Sequence, residues 1–305
     1  METRTIGSLA VPVVGLGCNN FGRRLNAEQT AGVVDAALAA GVTFFDTADI
    51  YGQGQSEEYL GRALGQRRRD VLIATKFGNR MDGAGQGAHP DYIHRAVDAS
   101  LRRLGTDYID LYQLHTPDDS VPIAETLGAL DELVRAGKVR EIGSSNFSAE
   151  QIDAAEQARP AEAARFVSVQ NEYSMLKRAP EDGVLADCER LGLGFLPYFP
   201  LASGLLTGKY RRGQPVPEGT RLGGPGAKPI DDQELATVEK LIEFAEARDH
   251  TILELAFAWL LSRPAVASVI AGATKPEQVR ANAAAASWQL SAADLSEVDA
   301  LLGTR

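Results

Sequence analysis

The chain has 305 residues, of which 44% are hydrophobic and 24% charged, and its formal net charge at pH 7 is −10. This composition supplies a large core, and the acidic balance argues against nucleic acid as a partner, because a phosphate backbone requires a broad basic face. The two cysteines, Cys18 and Cys188, lack metal-binding spacing. The sequence has neither a signal-peptide pattern nor an apolar run that could cross a membrane. We therefore expect a cytoplasmic protein without a membrane partner.

Short apolar runs alternate with longer segments of helical periodicity, a pattern typical of parallel sheets covered by helices. The predicted strands are Val13–Leu16, Thr43–Asp46, Val71–Lys76, Tyr108–His115, Val139–Ser144, Phe166–Gln170, Gly194–Pro200 and Val266–Ile270. The helices between them are predicted at Ala27–Ala40, Glu57–Leu64, Pro90–Leu104, Ile123–Ala136, Ala149–Arg159, Gly183–Leu191, Ile252–Arg263 and Pro276–Ala286. Two extra helices are predicted at Asp232–Arg248 and Ala292–Leu302.

Eight strand-helix units with short connections favour an α/β fold of the (β/α)8 TIM-barrel type, since closure leaves no unpaired edge strand. An open doubly wound sheet is the alternative. Thr5–Ile6 and Leu9–Val11 are expected to form an N-terminal β-hairpin that plugs the barrel. Irregular stretches at residues 77–89 and 201–229 follow strand ends, where barrel enzymes carry their active sites. We expect one domain over residues 1–305, with its site on this face.

Polar side chains collect where the apolar strands finish, and barrel closure brings strand ends together. Asp46, Lys76 and His115 stand at three of these ends, and Tyr51 follows Asp46 closely. A tyrosine is a poor acid or base near neutrality unless a neighbouring cation stabilises its phenolate, which Lys76 paired to Asp46 can do. His115 can hydrogen-bond a substrate oxygen. The set suits carbonyl reduction, whereas a structural Asp46–Lys76 salt bridge is the competing interpretation, and no metal is expected.

Two segments have the character of a dinucleotide site. The first runs from Gly272 and Thr274 through Lys275 into a helix begun by Pro276, and it offers free amides and a positive helix end for a phosphate. Lys275 can bind an adenosine 2′-phosphate, with Asn282 near the adenine. The second follows the strand ending at Pro200, where glycines permit close backbone approach to a pyrophosphate; its candidate residues are Leu201, Gly204, Leu205 and Lys209.

The nicotinamide end of such a cofactor also has candidate partners. Tyr198 offers an aromatic face for the ring, and Ser145, Asn146 and Gln170 carry groups that match its carboxamide. Core packing is the alternative role for Tyr198. Residues 15–20 do not form a Rossmann fingerprint, because no helix begins there and no acidic residue ends the next strand at the ribose position.

The sequence resembles the aldo-keto reductases over nearly the whole chain and is most similar in wording to their bacterial-type members. The resemblance is carried by four motifs in the same order: Asp46 to Gly52, Ala74 to Lys76, Asp110 to His115 and Gly143 to Phe147. The resemblance implies a catalytic tetrad of Asp46, Tyr51, Lys76 and His115, hydride transfer from NADPH to a carbonyl carbon, and Tyr51 as proton donor. It also implies cofactor contacts from Ser145, Asn146, Gln170, Tyr198, Leu201, Gly204, Leu205, Lys209, Gly272, Thr274, Lys275, Gln278 and Asn282.

This chain departs from many relatives, which carry Lys-Ser at positions 272 and 273 and Arg at position 278, so NADH is expected as a weaker alternative to NADPH. The expected substrate is a small carbonyl compound. Apolar pocket walls are predicted from Phe21, Ile50, Phe77, Thr116 and Met175, which favours a partly hydrophobic substrate. Two other functions stay open: a redox-sensing regulatory subunit with little turnover, and a lyase or isomerase that uses a Schiff base on Lys76. A monomer is expected.

Overall fold

The structure is a computed structural model that describes residues 1–83, 85–224 and 229–303. Its first two strands are β1 (Thr3–Ile6) and β2 (Leu9–Pro12). The strands that follow are β3 (Val14–Gly17), β4 (Phe44–Asp46), β5 (Leu72–Phe77), β6 (Ile109–Leu114), β7 (Val139–Ser145), β8 (Phe166–Glu172), β9 (Gly194–Tyr198) and β10 (Val269–Gly272). These last eight strands are parallel and build one sheet.

Helices alternate with the strands of this sheet. They are α1 (Ala27–Ala39), α2 (Gln55–Leu64), α3 (Pro90–Leu104), α4 (Ile123–Arg135), α5 (Ala149–Ala158), α6 (Val184–Leu191), α7 (Asp232–Glu246), α8 (Ile252–Leu261), α9 (Pro276–Ala285) and α10 (Ala292–Leu302). Several helices begin at a residue whose side chain accepts a hydrogen bond from a backbone amide of the first turn. Asn26 forms a complete capping box with Gln29, and Thr251 forms one with Glu254. The local sequence therefore determines where these helices begin.

The sheet closes into a barrel. Its strands follow the order β10, β3, β4, β5, β6, β7, β8, β9, so the two ends of the order are β10 and β9. The residues just before β10 complete the ring: the Phe195 amide donates to the Ala265 carbonyl at 2.7 Å, and the Ala267 amide donates to the Phe195 carbonyl at 2.9 Å. This closure confirms the predicted barrel and excludes the open sheet.

The N-terminal hairpin covers one end of the barrel, as predicted. Strands β1 and β2 pair antiparallel, and Ile6, Leu9 and Val11 are buried in a cluster with barrel residues such as Phe44 and Leu111. The hairpin turn is held by the Ser8 amide, which donates to a Glu141 carboxylate oxygen at 2.7 Å. Access to the barrel is therefore left to the opposite face, where the strands end.

Three details of the prediction were wrong. The last barrel strand is Val269–Gly272 rather than Val266–Ile270, because Val266 instead bridges to Phe195 across the closure. Strand β9 ends at Tyr198 rather than at Pro200, since Phe199 has a φ of +49°, which is incompatible with a strand. Short 3-10 helices that the pattern did not predict occur at Gly65–Asp70, Ala179–Glu181 and Ala202–Thr207.

Part of the long predicted loop at residues 201–229 is described, and residues 225–228 of it lie outside the described residues. In the described ranges, none of the helices combines the length and the apolar character needed to cross a bilayer. Within the same ranges, no group of three or more His, Cys, Asp or Glu side chains is arranged to hold a metal ion.

Helices α2 and α3 contact each other at Gly61. A methyl group at this position would overlap the backbone carbonyl of Leu104. We predict that Gly61→Ala lowers the free energy of unfolding by about 1–3 kcal/mol, because the two helix backbones must move apart. Gly128→Ala in α4 is the matched control: nothing lies within 4 Å of the added methyl group. That variant is expected to gain about 0.5–1 kcal/mol from helix propensity.

Denaturant unfolding of both variants and of the unchanged protein measures the effect. Equal changes in stability at the two positions would contradict the close helix contact, because the added methyl group is the same in both.

Candidate active site

The strand ends open into one large cavity of about 710 Å³. Its lining includes Asp46, Tyr51 and His115 at one end and the amino-terminal turn of α9 at the other. The predicted site residues from β4, β6, β7, β8 and β9 meet there, because parallel strands present their carboxyl ends to the same face of a barrel.

A buried ion pair lies beneath this cavity. Lys76 Nζ donates to Asp46 Oδ2 at 2.7 Å and to the Thr47 carbonyl at 2.8 Å, and the lysine is completely buried. Burial lowers the pKa of Lys76, but the charge of the Asp46 carboxylate and the hydrogen bond to it oppose this effect, and the net pKa lies above its usual value. Lys76 is therefore a permanent cation in the floor of the site.

Tyr51 is half-buried between this cation and His115. Lys76 Nζ lies 5.3 Å from the centroid of the Tyr51 ring, and the Tyr51 and His115 rings are in edge contact with centroids 5.9 Å apart. Burial raises the pKa of the Tyr51 phenol, Lys76 lowers it, and the net direction is upward. The Lys76 cation thus favours the phenolate, as the sequence analysis expects, but burial outweighs it, and Tyr51 keeps its proton at neutral pH.

His115 is held neutral. Burial, reinforced by the positive charge of Lys76, lowers its pKa to about 3. Its Nδ1 atom is buried and has no hydrogen-bond partner among the described residues. A neutral ring that carries its proton on Nε2 can donate one hydrogen bond to an oxygen in the cavity. The His115 imidazole can therefore form a hydrogen bond near neutral pH but carries no positive charge.

Two glutamines complete the surroundings of Asp46. Gln170 Nε2 donates to Asp46 Oδ1 at 2.9 Å, and Gln113 Nε2 reaches the same oxygen at 3.3 Å. Both amides are buried. Gln170 lines the cavity, and its amide nitrogen is already engaged by Asp46. Gln113 was not predicted, although a polar residue two positions before His115, on the inward face of an apolar strand, was a signal that could have identified it.

Asn146 ties three strand ends together at the cavity wall. Its Nδ2 donates to the His115 carbonyl at 2.9 Å, and its Oδ1 accepts from the Tyr198 hydroxyl at 2.9 Å. The Ser145 hydroxyl donates to the Gln170 carbonyl at 2.8 Å. These bonds fix the Tyr198 ring beside the cavity, with Ser145 and Asn146 next to it. The arrangement offers an aromatic surface bordered by polar groups.

The bend after β9 has unusual backbone geometry. Phe199, Ala202 and Ser203 have φ values of +49°, +45° and +57°, in the left-handed region that residues with a side chain rarely adopt. Leu201 and Gly204 from this bend line the cavity, and so does Lys209. Leu205 does not: it is buried in the core, so its predicted place in the cofactor site is not seen.

The segment between β10 and α9 forms the far wall. The predicted cofactor-site residues of this segment, Gly272, Thr274, Lys275, Gln278 and Asn282, all line the cavity. The Thr274 amide donates to Gln278 Oε1 at 2.7 Å, which joins the turn to the helix it precedes. Lys275 stands directly before α9, and none of the described carboxylates forms an ion pair with it.

The predicted apolar substrate pocket is largely absent. Of its five residues, Thr116 lines the cavity, whereas Phe21, Phe77 and Met175 are buried in the core and Ile50 does not reach the cavity. Phe77 stacks on Tyr112 with ring centroids 4.7 Å apart, which shows where its side chain packs. The cavity is also lined by residues that the sequence analysis did not identify, and most of these are polar or basic. They are Asn20, Arg23, Arg24, Asn79, Phe199, Ser203, Thr207, Glu218 and Arg221.

A second buried cluster lies behind Tyr51. Arg103 Nε donates to Glu57 Oε2 at 2.6 Å, and the Thr75 hydroxyl donates to the other Glu57 oxygen at 2.6 Å. The neighbouring Asp49 is buried, and its Oδ1 has no partner among the described residues. Burial and the negative charge of Glu57 raise the pKa of Asp49 to about 7, against the opposing effect of Arg103.

Comparison with known proteins identifies the family of this chain. The model of the aldo/keto reductase family matches residues 13–302. The chain is 36% identical over 312 residues to an aldo-keto reductase of Schizosaccharomyces pombe, yakc, which is named with NADP(+); the match covers 98% of this chain and 90% of that protein.

Solved structures are similar as well. Aldo-keto reductase AKR11C1 from Bacillus halodurans, in its holo form, has a TM-score of 0.83 and 34% identity, with 99% of this chain and 96% of that chain covered. An aldo-keto reductase from Klebsiella pneumoniae in complex with NADPH has a TM-score of 0.80 and 31% identity, with the same coverage. The chain belongs to the aldo/keto reductase family. The family predicted from the motifs is confirmed, and the protein is an oxidoreductase of this family.

The Asp49 cluster generates a prediction about stability. A carboxyl whose pKa is raised on folding stabilises the protein in its protonated form; this contribution is complete below about pH 4 and is lost as the pH rises through about 7. We therefore expect the free energy of unfolding to fall between pH 5 and 8.5, and Asp49→Asn to remove about 3 kcal/mol of that fall.

Denaturant titrations at several pH values measure the difference between the two proteins. Asp119→Asn is the control, since Asp119 is exposed. Parallel pH profiles for Asp49→Asn and the unchanged protein would contradict the raised pKa.

Proposed function

We propose that this protein reduces aldehyde or ketone carbonyls to alcohols with NADPH, and that Tyr51 is the proton donor. The observation that carries the proposal is the placement of a protonated phenol in the cavity beside a permanent buried ammonium, Lys76, and a neutral imidazole, His115. Carbonyl reduction requires a donor of a proton and a polar contact to the carbonyl oxygen, and this set provides both.

The residues that line the cavity fit the proposed cofactor. Tyr198 offers a face for a nicotinamide ring, with Ser145 and Asn146 beside it. The bend that contains Gly204 and leads to Lys209 suits a pyrophosphate, and Lys275 at the amino-terminal end of α9 suits a 2′-phosphate. When bound, the reduced cofactor would supply the hydride. The names of the yakc protein and of the NADPH complex support the choice of NADPH over NADH.

The proton inventory defines the roles of the protein's own groups. The raised pKa of Tyr51 means that its phenol carries a proton before the reaction. As negative charge develops on the carbonyl oxygen, the phenol donates that proton, and the phenolate left behind faces the Lys76 ammonium. Asp46 keeps Lys76 in place, and Gln113 and Gln170 hold Asp46. His115 would orient the carbonyl oxygen by a hydrogen bond.

Replacement of Tyr51 by phenylalanine tests the proposed proton donor. Tyr51→Phe keeps the ring and removes only the hydroxyl, so we expect kcat to fall by at least about a hundredfold. The affinity for NADPH should stay unchanged, because the phenol is not among the proposed cofactor contacts. Oxidation of NADPH with a panel of small aldehydes, together with a fluorescence titration of NADPH binding, measures both quantities. Equal turnover by the two proteins would remove Tyr51 from this role.

The turnover assay and the NADPH titration together separate the alternative functions. Tight NADPH binding without turnover by the unchanged protein would favour a cofactor-holding regulatory subunit. Absence of NADPH binding would point instead to a lyase or isomerase.

Lys275 is the proposed determinant of cofactor choice. Its exposed ammonium has no described ion-pair partner, so it is free to bind a 2′-phosphate, a group that NADH lacks. We expect Lys275→Ala to raise the Kd for NADPH by about tenfold and to leave the Kd for NADH unchanged. Lys240→Ala in α7, which removes an exposed lysine outside the cavity, is the control. A parallel rise of both dissociation constants would contradict the assignment.

A further inference from the structure

Tyr51 differs from the other three proposed active-site residues because it lies on a turn rather than at a strand end. Asp46 and Lys76 belong to β4 and β5, and His115 directly follows β6. Tyr51 lies five residues beyond the end of β4, in the turn that leads into α2. Turns are more mobile than strands, and a displacement of about 1 Å near a reacting group can lower a rate about a hundredfold. Further contacts must therefore fix this turn relative to Lys76.

The turn is bonded to β5 on both sides of Tyr51. Before Tyr51, the Asp49 amide donates to the Lys76 carbonyl at 3.1 Å. After it, the Glu57 carboxylate in the first turn of α2 accepts from the Thr75 hydroxyl at 2.6 Å. Thr75 directly precedes Lys76, and successive side chains of a strand point to opposite faces. Thr75 therefore faces α2 while Lys76 points into the barrel, so the Tyr51 turn is attached to the backbone that carries the cation.

A second bond ties the same carboxylate to α3. Glu57 is completely buried, and its other oxygen accepts from Arg103 Nε at 2.6 Å. The Arg103 side chain also packs against the turn itself: a methyl group on Gly54 would stand 2.6 Å from Arg103 Cδ. Hydrogen bonds that involve an ionised group are shorter and stronger than neutral ones. Two such bonds to separate elements fix the carboxylate and, with it, the start of α2.

Stability alone is a weak explanation for this buried pair. Desolvation of two charges largely offsets their attraction, and apolar side chains of similar volume often join two elements equally well. Apolar side chains cannot form directional bonds, however. The Glu57 carboxylate forms one to the residue next to Lys76, and the proposed mechanism gives this contact no role. Its distinctive property is therefore the geometry that it imposes on the Tyr51 turn.

We propose that Glu57 is a positioning residue that holds the Tyr51 phenol at its working distance from Lys76, through its bonds to Thr75 and Arg103. Lys76 Nζ lies 5.3 Å from the centroid of the Tyr51 ring. Glu57 lies outside the cavity, so it contacts neither substrate nor cofactor and acts only through the turn. This inference rests on the proposed function, since it takes Tyr51 as the proton donor. Without these bonds the phenol meets the developing negative charge at the wrong distance.

The kinetic test uses Glu57→Gln and Thr75→Val. Thr75→Val removes one hydroxyl, changes no charge and leaves the Glu57–Arg103 pair intact, so it serves even if Glu57→Gln does not fold. In both variants we expect kcat for a small aldehyde with saturating NADPH to fall about tenfold, while KM and the Kd for NADPH stay within about twofold. Thr75→Ser keeps the hydroxyl and should retain kcat within about twofold of the unchanged protein.

Asp110→Asn is the matched control. Asp110 is also a buried carboxylate paired with an arginine, Arg68, at 2.8 Å, but it lies near the start of β6, at the opposite end of that strand from His115. This variant should lower the free energy of unfolding and leave kcat unchanged. An equal fall of kcat in Asp110→Asn overturns the proposal, because the fall then follows lost stability. Unchanged kcat in Glu57→Gln and Thr75→Val overturns it too, and so does a rise of KM in place of the fall in kcat.

A spectroscopic measurement makes the inference independent of turnover. In protein labelled with ¹³C at tyrosine Cζ, the Tyr51 signal is the one lost in Tyr51→Phe. Its chemical shift depends on the charges and hydrogen bonds near the phenol, so we expect it to move in Glu57→Gln and Thr75→Val and to stay in Asp110→Asn. A signal that stays in the first two variants, or moves equally in all three, overturns the proposal. If the unchanged protein reduces no aldehyde, the proposed reaction fails, while this signal still decides the positioning role.

Discussion

A lysine ammonium with no exposed surface, bonded to a single carboxylate at 2.7 Å, is the interaction on which the site depends. Removal of a charge from water is costly, and the pair is tolerated because every partner is in place: Asp46, the Thr47 carbonyl and the two glutamines around the carboxylate. Loss of one member would leave an uncompensated buried charge. The same pair keeps a positive charge at a fixed point next to the Tyr51 ring. The Lys76–Asp46 ion pair therefore determines both the structure of the site floor and the electrostatic field at Tyr51.

The parts of this arrangement that lie on strands could be predicted from the sequence. Apolar runs ending in Asp46, Lys76 and His115 identify strand ends, and a barrel brings such ends to one face whatever the loops do. The same reasoning found Asn146 and Gln170. It did not identify Gln113, because only strand ends were searched for polar groups, although Gln113 stands two positions before His115 and so faces the same side of the strand.

The cavity walls could not be predicted in this way. Phe21, Phe77 and Met175 are apolar residues near strand ends, but apolar side chains pack into whichever core the folded loops leave beside them. Arg221 comes from a segment some twenty residues beyond β9, and its approach to Arg24 follows from a hydrogen bond to a backbone carbonyl that no periodicity encodes. The error has a chemical consequence: an apolar wall favours hydrophobic substrates, whereas the observed wall is polar and basic.

The left-handed bend formed by Phe199, Ala202 and Ser203 has a consequence for ligand affinity. Each of these residues holds a conformation that is unfavourable by about 1–3 kcal/mol, and the surrounding packing compensates for it when the chain folds. Backbone groups that are already rigid lose little entropy when a ligand arrives. A glycine at any of these positions would relieve the backbone strain but make the bend more flexible. A gain in protein stability there would therefore be accompanied by a lower affinity for a ligand bound against the bend.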